Sequence, residues 1–269
     1  MSTYRTEGIV LRRTDFGEAN LLLQIFTREF GKIEAVGRSA RKPQGKLKGL
    51  LEPFLCSDFV IVRGKKMDTV ANSFVLESFL PLRGDFESIL AASAVTEIAN
   101  RMTMTGYRDE RIFRLILESL RFINERAGEE RRGAAVLILF FEINLLSLSG
   151  FSPCVNRCAF CGEKVRMGEN YFSNSLGGVL DAACGKKCPD AARLDDNMVR
   201  LLKFLQVEGE EAEAYGEEIG RKLAEIKKLK VERNVLERSI ILMKNFIEFN
   251  LDQKINSLDL FCNFARERN

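Results

Sequence analysis

The stretch EGIVLRRTDFGEANLLLQIFTREFGKIEAVG (residues 7–37) decides the fold of the N-terminal part of the chain. Apolar runs at 7–11 and 21–26 precede an alternating segment at 32–37, and turn-forming residues separate the three. Similar runs predict a fourth strand at 54–62 and a fifth at 69–79. Five short strands with no long helix between them predict a small barrel, and the OB fold is the five-stranded barrel that commonly binds oligonucleotides.

Apolar residues recur at helical spacing after residue 80. The segments with this period are 86–102, 112–123, 134–148, 198–205, 231–251 and 258–264. The acidic segment 208–218 is interpreted as a linker or a solvated face. The sequence therefore predicts an OB-like domain at 1–80 and a helical domain at 81–269.

Composition excludes several kinds of active site. The chain has no His, so Ser-His-Asp and Cys-His nucleophile systems and imidazole metal sites cannot form. No Walker loop or dinucleotide fingerprint is present, and no spacing favours Lys or carboxylate catalysis, so we expect no enzyme. The longest apolar run, 134–141, is too short to span a bilayer. With no apolar signal core at the N-terminus, the expected location is the cytoplasm.

Five of the seven cysteines lie between residues 154 and 188. Cys158 and Cys161 form a C-x-x-C-G knuckle, and Cys184 and Cys188 supply a second pair. Four thiolates suit one tetrahedral Zn²⁺ ion with no open position, which is a structural site. Disulfides, redox cysteines and unliganded thiols are the alternatives, although disulfides are rare in a reducing cytoplasm. We expect a four-cysteine zinc finger inserted in the helical domain at about 151–190, which makes the predicted fold class α+β.

Basic residues concentrate in residues 31–48, where Glu34 is the single acid. The candidate DNA-binding residues are Lys32, Arg38, Arg41, Lys42, Lys46 and Lys48. Cations beside a small barrel can neutralise phosphates without reading bases, and the alternative is an ordinary solvated loop. Nearby Phe26, Phe30, Phe54 and Phe59 could stack bases, but we expect most of them to pack the barrel.

The order of several short motifs resembles that of RecO proteins. The motifs are EGIVLR (7–12), DFGEAN (15–20), FTREFGK (26–32), GRSARKP (37–43), EPF (52–54), GFSP (150–153), CAFCG (158–162), GGVL (177–180) and, more faintly, INSL (255–258). The resemblance implies an N-terminal OB domain, a helical C-terminal domain and, as in many RecO proteins, a four-cysteine zinc finger.

The resemblance also implies a function in DNA repair and recombination. RecO proteins bind single- and double-stranded DNA and anneal complementary strands. With RecR, they help to load RecA onto DNA coated by single-strand-binding protein, whose C-terminal tail they contact on the helical body. This chain departs from the family pattern at Asp181, where relatives with the finger usually place their third cysteine. Asp181 or Cys154 could therefore replace one of the expected ligands.

Three hypotheses from different classes follow. The first is a DNA-repair mediator that binds DNA of any sequence. The second is a protein-interaction scaffold with a structural zinc and only incidental DNA affinity. The third is a metal-dependent enzyme, which a cysteine cluster without His disfavours because it offers no open coordination position.

Overall fold

The computed structural model describes residues 2–128, 132–209 and 211–267. The chain divides into two compact units, Met1–Gly128 and Glu129–Asn269. The first unit combines the barrel with the helices that follow it directly. The two compact units therefore meet at residues 128 and 129, and the domain boundary expected at residue 80 stays a prediction from the sequence.

The first unit contains a closed barrel of five strands. The strands are β1 (Thr3–Phe16), β2 (Asn20–Thr27), β3 (Gly31–Gly37), β4 (Cys56–Val62) and β5 (Asp68–Glu77). Their order around the barrel is β1-β2-β3-β5-β4, and β3 and β5 pair in parallel, whereas the other pairs are antiparallel. This is the OB arrangement, so the structure confirms the predicted barrel.

Strand β1 is long enough to pair with two neighbours. Its first half pairs with β4, its second half pairs with β2, and Gly8 lies opposite both Ser57 and Thr27. A Cβ atom at Gly8 would approach Cγ2 of Ile25 to 2.7 Å. Glycine is therefore required at this point by close packing inside the barrel. The core around it is apolar: Val10, Leu21, Leu23, Ile25, Ala35, Ala40, Leu47, Leu51, Phe59, Ile61 and Val70.

Three helices complete the first unit. They are α1 (Leu80–Gly84), α2 (Phe86–Met102) and α3 (Glu110–Glu125). Asp85 caps α2 and Asp109 caps α3, each accepting a hydrogen bond from a backbone N–H of the first turn. The two longer helices pack against each other, as the sequence period predicts.

The second unit is mainly helical. Its longer helices are α4 (Arg132–Leu148), α6 (Asp196–Leu205), α7 (Ala212–Ile226), α8 (Arg233–Leu251) and α9 (Asn256–Glu267). Helix α4 packs against α6, α7 and α8, and its residues 136–146 are buried, as expected for a helix that is apolar on all faces. No helix in the described part of the chain is both long and apolar enough to cross a membrane.

Most of the acidic segment belongs to helix α7, so of its two interpretations the solvated face fits the structure and the linker does not. Tyr215, Ile219, Leu223 and Ile226 are buried along one face of this helix. Their spacing of three and four residues is visible in the sequence. The acidic side chains between them hide this period, because they occupy the opposite, exposed face.

A small sheet is inserted between α4 and α6. Strand β6 (Asn170–Ser173) lies between β7 (Gly178–Asp181) and β8 (Ala192–Leu194), and the short helix α5 (Ala182–Gly185) follows β7. The cysteine-rich segment therefore forms a defined substructure inside the helical unit, as the predicted fold class requires.

Candidate functional site

Four side chains from the cysteine-rich segment converge on one point. The ligand atoms of Cys158, Cys161, Asp181 and Cys184 all lie within 4.8 Å of one another. Three sulfur atoms and a carboxylate at these separations could hold one metal ion. The residues come from the knuckle and from the junction of β7 and α5, so the group exists only when the two parts fold together.

The knuckle turns tightly around Cys158. The N–H of Gly162 donates to the Cys158 carbonyl over 2.9 Å, and the N–H of Cys158 donates to Glu163. Gly162 has a φ of 78°, a conformation that L side chains rarely adopt. The N–H of Ala159 also donates to the Val179 carbonyl over 2.8 Å. This last bond ties the knuckle to β7 and brings its thiols beside Asp181.

Asp181 has two tasks at the end of β7. Its Oδ1 atom accepts a hydrogen bond of 2.9 Å from the Cys184 N–H and so caps α5. Its Oδ2 atom accepts from the Cys161 thiol over 3.1 Å. The pKa of Asp181 is lowered to about 2, first by the Cys184 N–H and then by the Cys161 thiol. The carboxylate is therefore ionised at neutral pH and faces the thiols.

The environment of Cys158 favours the thiolate. Burial raises the pKa of its thiol, but backbone N–H groups of Cys161, Asp181 and Phe160 donate to the sulfur and lower the pKa below its ordinary value. Metal ligation requires the deprotonated sulfur. The knuckle backbone thus prepares this residue as a ligand.

Two of the cysteines considered from the sequence lie outside this group. Cys188 was expected as the fourth ligand, but its thiol donates to Oδ1 of Asp190 over 3.1 Å, and Asp181 takes its place among the convergent atoms. The reason is the cap at Asp181, which starts α5 there and leaves Cys188 beyond the end of the helix. The Cys154 thiol donates to the carbonyl of Arg157 and is likewise outside the group.

The donor set suits zinc. Thiolates select soft or borderline ions, a carboxylate oxygen is an accepted fourth ligand, and the arrangement is tetrahedral in structural zinc sites. The seven cysteines are all free in the structure. Because three thiolates and a carboxylate complete a four-coordinate shell, a metal held by all four would have no position for a substrate.

The basic residues lie on a loop that the barrel holds in place. This basic loop (residues 38–48) connects β3 to the segment before β4. Consecutive turns run through it, with N–H groups of Lys42, Gly45 and Lys48 each donating to the carbonyl three residues earlier. Ala40 and Leu47 are buried in the barrel core. The loop is therefore an ordered part of the barrel.

The outer side of the basic loop is cationic. Five of its side chains are exposed: Arg38, Arg41, Lys42, Lys46 and Lys48. No carboxylate occurs between residues 38 and 51. Arg41 forms an ion pair of 3.1 Å with Asp15, whereas no acidic partner is found for the other four among the described residues. The loop presents a field of one sign to solvent.

Lys32 does not belong to this surface. It is buried, and its ammonium donates to the backbone carbonyl of Asn100 over 2.5 Å. That carbonyl lies in the last turn of α2, where a cation is favourable because the helix dipole is negative there. Burial lowers the pKa of Lys32, and Glu34 opposes this effect. The sequence shows its charge but not this position.

A second exposed basic turn is not among the DNA-binding residues predicted from the sequence. The loop between β4 and β5 contains Arg63, Lys65 and Lys66, all exposed. Ala35, three residues before the basic loop begins, pairs with Asp68 at the start of β5, so the residue that follows this turn lies beside the last part of β3. In OB folds the β1–β2 and β4–β5 loops contact the ligand, which is the signal that could have identified it.

The barrel aromatics behave mostly as expected. Phe26, Phe54 and Phe59 are buried, and the ring of Phe30 packs against Tyr4 at a tilt of 58°, with ring centroids 4.6 Å apart. Three of the four are therefore buried instead of offering rings to a ligand, and Phe59 belongs to the barrel core.

Comparison with known proteins covers both parts of the chain. Residues 1–79 match the family model described as "Recombination protein O N terminal", and residues 83–259 match "Recombination protein O C terminal". Three similar proteins are each named DNA repair protein RecO. The one from Pelotomaculum thermopropionicum is 29% identical over 99% of this chain and 96% of its own length. One from Dehalococcoides mccartyi is 31% identical (95% and 93%), and that from Desulforudis audaxviator is 35% identical (75% and 78%).

Proposed function

The chain belongs to the RecO family of DNA repair and recombination proteins, and we propose that it acts as a recombination mediator that binds single- and double-stranded DNA without sequence specificity. In this proposal it anneals complementary strands and, with RecR, assists RecA loading onto single-stranded DNA coated by single-strand-binding protein. It performs these tasks by binding alone and catalyses no chemical step.

The basic loop is the observation that carries this proposal. Its five exposed cations stand on a stretch without carboxylates, and buried Ala40 and Leu47 fix the backbone beneath them. Lys and Arg side chains bind phosphate oxygens and release the counterions condensed on DNA. Such contacts do not depend on base identity, which is the property that a general repair mediator needs.

The same charge explains how annealing could be promoted. Two complementary strands repel each other through their phosphates, and a cationic surface that binds both screens this repulsion. The exposed lysines Lys65 and Lys66 in the turn between β4 and β5 add further positive charge to the barrel surface. Strands held side by side in this way can pair without any group of the protein reacting.

The metal centre has a supporting role in this proposal. One Zn²⁺ ion held by Cys158, Cys161, Asp181 and Cys184 would cross-link the knuckle to the β7–α5 junction. Bound zinc would stabilise the knuckle turn, in which Cys158 is the one buried residue between positions 158 and 164. Two of the ligands are prepared for binding by their surroundings. Backbone N–H groups favour the thiolate of Cys158, and the lowered pKa of Asp181 keeps its carboxylate ionised.

The remaining partners follow from the family. RecR and the C-terminal tail of single-strand-binding protein would dock on the protein, and RecA would benefit indirectly. The proposed location is the cytoplasm, in association with the nucleoid. Membership of the family is the support for these partners and for this location.

A DNA titration at several salt concentrations tests the central proposal. We expect a labelled single strand of mixed sequence to bind, with log K falling linearly with log salt by about 0.7 for each phosphate that the protein neutralises. A second strand of unrelated sequence should give the same curve. Affinity near background at physiological salt would instead favour the interaction scaffold.

Metal analysis separates the third hypothesis from the other two. We expect about one tightly held zinc per chain in a sulfur-rich, four-coordinate shell. A metal with bound water and an open position would favour a metal-dependent enzyme instead.

A further inference from the structure

An open groove borders the metal knuckle in the second unit. Its volume is about 710 Å³, which lies within the roughly 300–1,000 Å³ range of ligand sites. The walls are the knuckle, the turn between β6 and β7, the segment after α4 and the C-terminal end of α8. The DNA-binding function proposed for the basic loop does not use this groove.

Three phenyl rings on the groove walls are exposed. Phe160 lies between the two knuckle cysteines and is 72% exposed, Phe249 on α8 is 55% exposed, and Phe151 after α4 is 42% exposed. Large apolar side chains grouped on a surface mark an interaction site, whereas single ones are common. Leu176 in the β6–β7 turn adds a further partly exposed apolar wall.

The charge of the groove points to an anionic occupant. Apart from the metal-ligand thiols, Arg157 is the one formally charged side chain among its lining residues, and no carboxylate is found among them. Arg157 is exposed and donates one hydrogen bond, of 3.1 Å, to the carbonyl of Gly162. A guanidinium has five N–H donors, so this bond positions the side chain and leaves donors for a phosphate.

The backbone segments that carry the three rings are tied to one another. Phe246 in α8 packs edge-to-face on Phe172 of β6, with ring centroids 5.4 Å apart. Cys154 forms backbone hydrogen bonds to Gly177 and Val179, of 2.9 and 2.8 Å, which join the segment after α4 to the sheet. The knuckle itself is tied to β7. An occupant would therefore meet a backbone that is already ordered, which reduces the entropic cost of binding.

We propose that this groove binds unpaired bases of single-stranded DNA by stacking them on Phe160, Phe249 and Phe151, with Arg157 contacting the adjacent phosphate. The proposal rests on the DNA-binding function proposed above and adds to it a contact that distinguishes single strands from duplex. Base stacking on aromatic rings needs an exposed ring face and tolerates any base. The open form of the groove suits flat bases better than a peptide side chain, which needs an enclosed pocket to bury its surface.

The test compares three probes of equal length: oligothymidine, an abasic strand with the same phosphates, and duplex DNA. Phe160→Ala and Phe249→Ala should each weaken oligothymidine binding by about tenfold, because each removes a ring on which one base stacks. Binding of the abasic strand and the duplex should stay unchanged. Phe86→Ala, which removes a similarly exposed ring from α2 in the first unit, is the matched control and should change none of the three.

Several outcomes would overturn the inference. Equal losses on all three probes would mean that the rings do not contact bases. Unchanged oligothymidine binding in both variants would also reject it. A loss of affinity for an acidic peptide ending in Phe, with oligothymidine binding retained, would assign the groove to a protein partner. Metal content is measured for Phe160→Ala, and if that variant loses its metal, Phe249→Ala decides the question because it lies outside the knuckle.

The same probes distinguish this failure from failure of the proposed function. If wild-type protein binds the abasic strand and the duplex in a salt-dependent manner but the ring variants have no effect, only the groove is wrong. If wild-type protein binds none of the three above background, the DNA-binding function itself is wrong.

Discussion

The metal knuckle and the basic loop are held in place by different means. The knuckle group brings together atoms from residues 158 to 184 within 4.8 Å of one another, so its function depends on convergence. The basic loop places five cations on a surface with no requirement that they meet. Loss of any one ligand therefore weakens metal binding strongly. In a phosphate-binding surface, the binding free energy falls in proportion to the number of charges removed.

The two regions also differ in what stabilises them. Leu47 is buried in the barrel core, and burial of such a side chain contributes about 1.5–3 kcal/mol. The basic loop keeps this anchor whether or not DNA is present. Between residues 158 and 164, the knuckle turn has Cys158 as its one buried residue, so this turn would depend on the ion. The contrast predicts that metal loss damages structure, whereas charge loss damages binding alone.

The largest effect is expected from removal of a metal ligand. Cys184→Ser should abolish stoichiometric zinc binding, because an ion with three ligands loses much of a binding free energy that reaches about 10–16 kcal/mol in structural sites. Hydrogen exchange in residues 151–194 should accelerate at the same time, since the ion holds that segment together. Metal content and amide exchange measure the two consequences.

Cys188→Ser is the matched control for this variant. The two cysteines are close in sequence and both are partly buried, but only Cys184 belongs to the convergent group. Zinc content should therefore be preserved in Cys188→Ser. If Cys188→Ser lost the ion and Cys184→Ser kept it, the ligand set given by the structure would be wrong.

The next largest effect is expected from neutralising the basic loop. The triple variant Arg38→Gln, Lys42→Gln, Lys46→Gln should reduce the salt slope of single-strand binding by about 2, at roughly 0.7 for each phosphate that is no longer neutralised. Arg41 is left unchanged because it pairs with Asp15. Affinity should fall most at low salt, and thermal stability should change little, since these side chains are exposed.

For Lys32→Met we expect the opposite of the triple variant: lower stability with unchanged DNA binding. Its ammonium is bound by the Asn100 carbonyl, so we expect an unchanged salt slope. The Asn100 carbonyl would lose its hydrogen bond from the buried ammonium, which should lower the free energy of unfolding by about 1–3 kcal/mol. A reduced slope in a folded Lys32→Met variant would show that Lys32 contacts phosphate after all.

A smaller effect is expected from changes at Asp181. Asp181→Asn keeps an amide oxygen that can cap α5 but removes the negative charge from the metal group. Zinc affinity should fall by at least about tenfold, or about 1.4 kcal/mol. Asp181→Cys should bind zinc at least as tightly as the natural residue, because a fourth thiolate suits the ion.

Competition with a chelator measures both affinities. Amide exchange of α5 separates the effect of the cap from that of the ligand, since Asn should preserve the helix. Equal zinc affinity in Asp181→Asn and wild type would mean that three cysteines hold the ion and that the carboxylate serves only as a cap.

The sequence predicts the kinds of residue involved better than their arrangement. The five strands follow from period-two patterns and turns, and the C-x-x-C-G knuckle follows from local spacing, because both depend on neighbours in the chain. The choice of Asp181 over Cys188 depends on where α5 begins, which in turn depends on the hydrogen bond between Asp181 and the Cys184 N–H. That choice could not be made from spacing alone.

The other differences between prediction and structure arise mainly from contacts between residues that are far apart in the chain. Lys32 is removed from the surface by the end of α2, a contact between residues far apart in the chain. Helix α7 is obscured by its acidic face, although the apolar period is present. The grouping of Phe151, Phe160 and Phe249 depends on the packing of α8 against the inserted sheet, which no local pattern reports.

The smallest effect is expected from the turn between β4 and β5, and it tests whether the DNA-binding surface extends beyond the basic loop. The double variant Lys65→Gln, Lys66→Gln should reduce the salt slope by about 1.4 if both lysines contact phosphate. It changes the net charge by the same amount as Lys227→Gln, Lys228→Gln, two exposed neighbours in the second unit. A general effect of net charge would be equal in the two variants. A local contact would appear only in the first, because screening confines charge effects to about 10 Å at 0.1 M salt. Additivity with the triple variant would then place the β4–β5 turn and the basic loop on one DNA path, whereas no effect would confine binding to the loop.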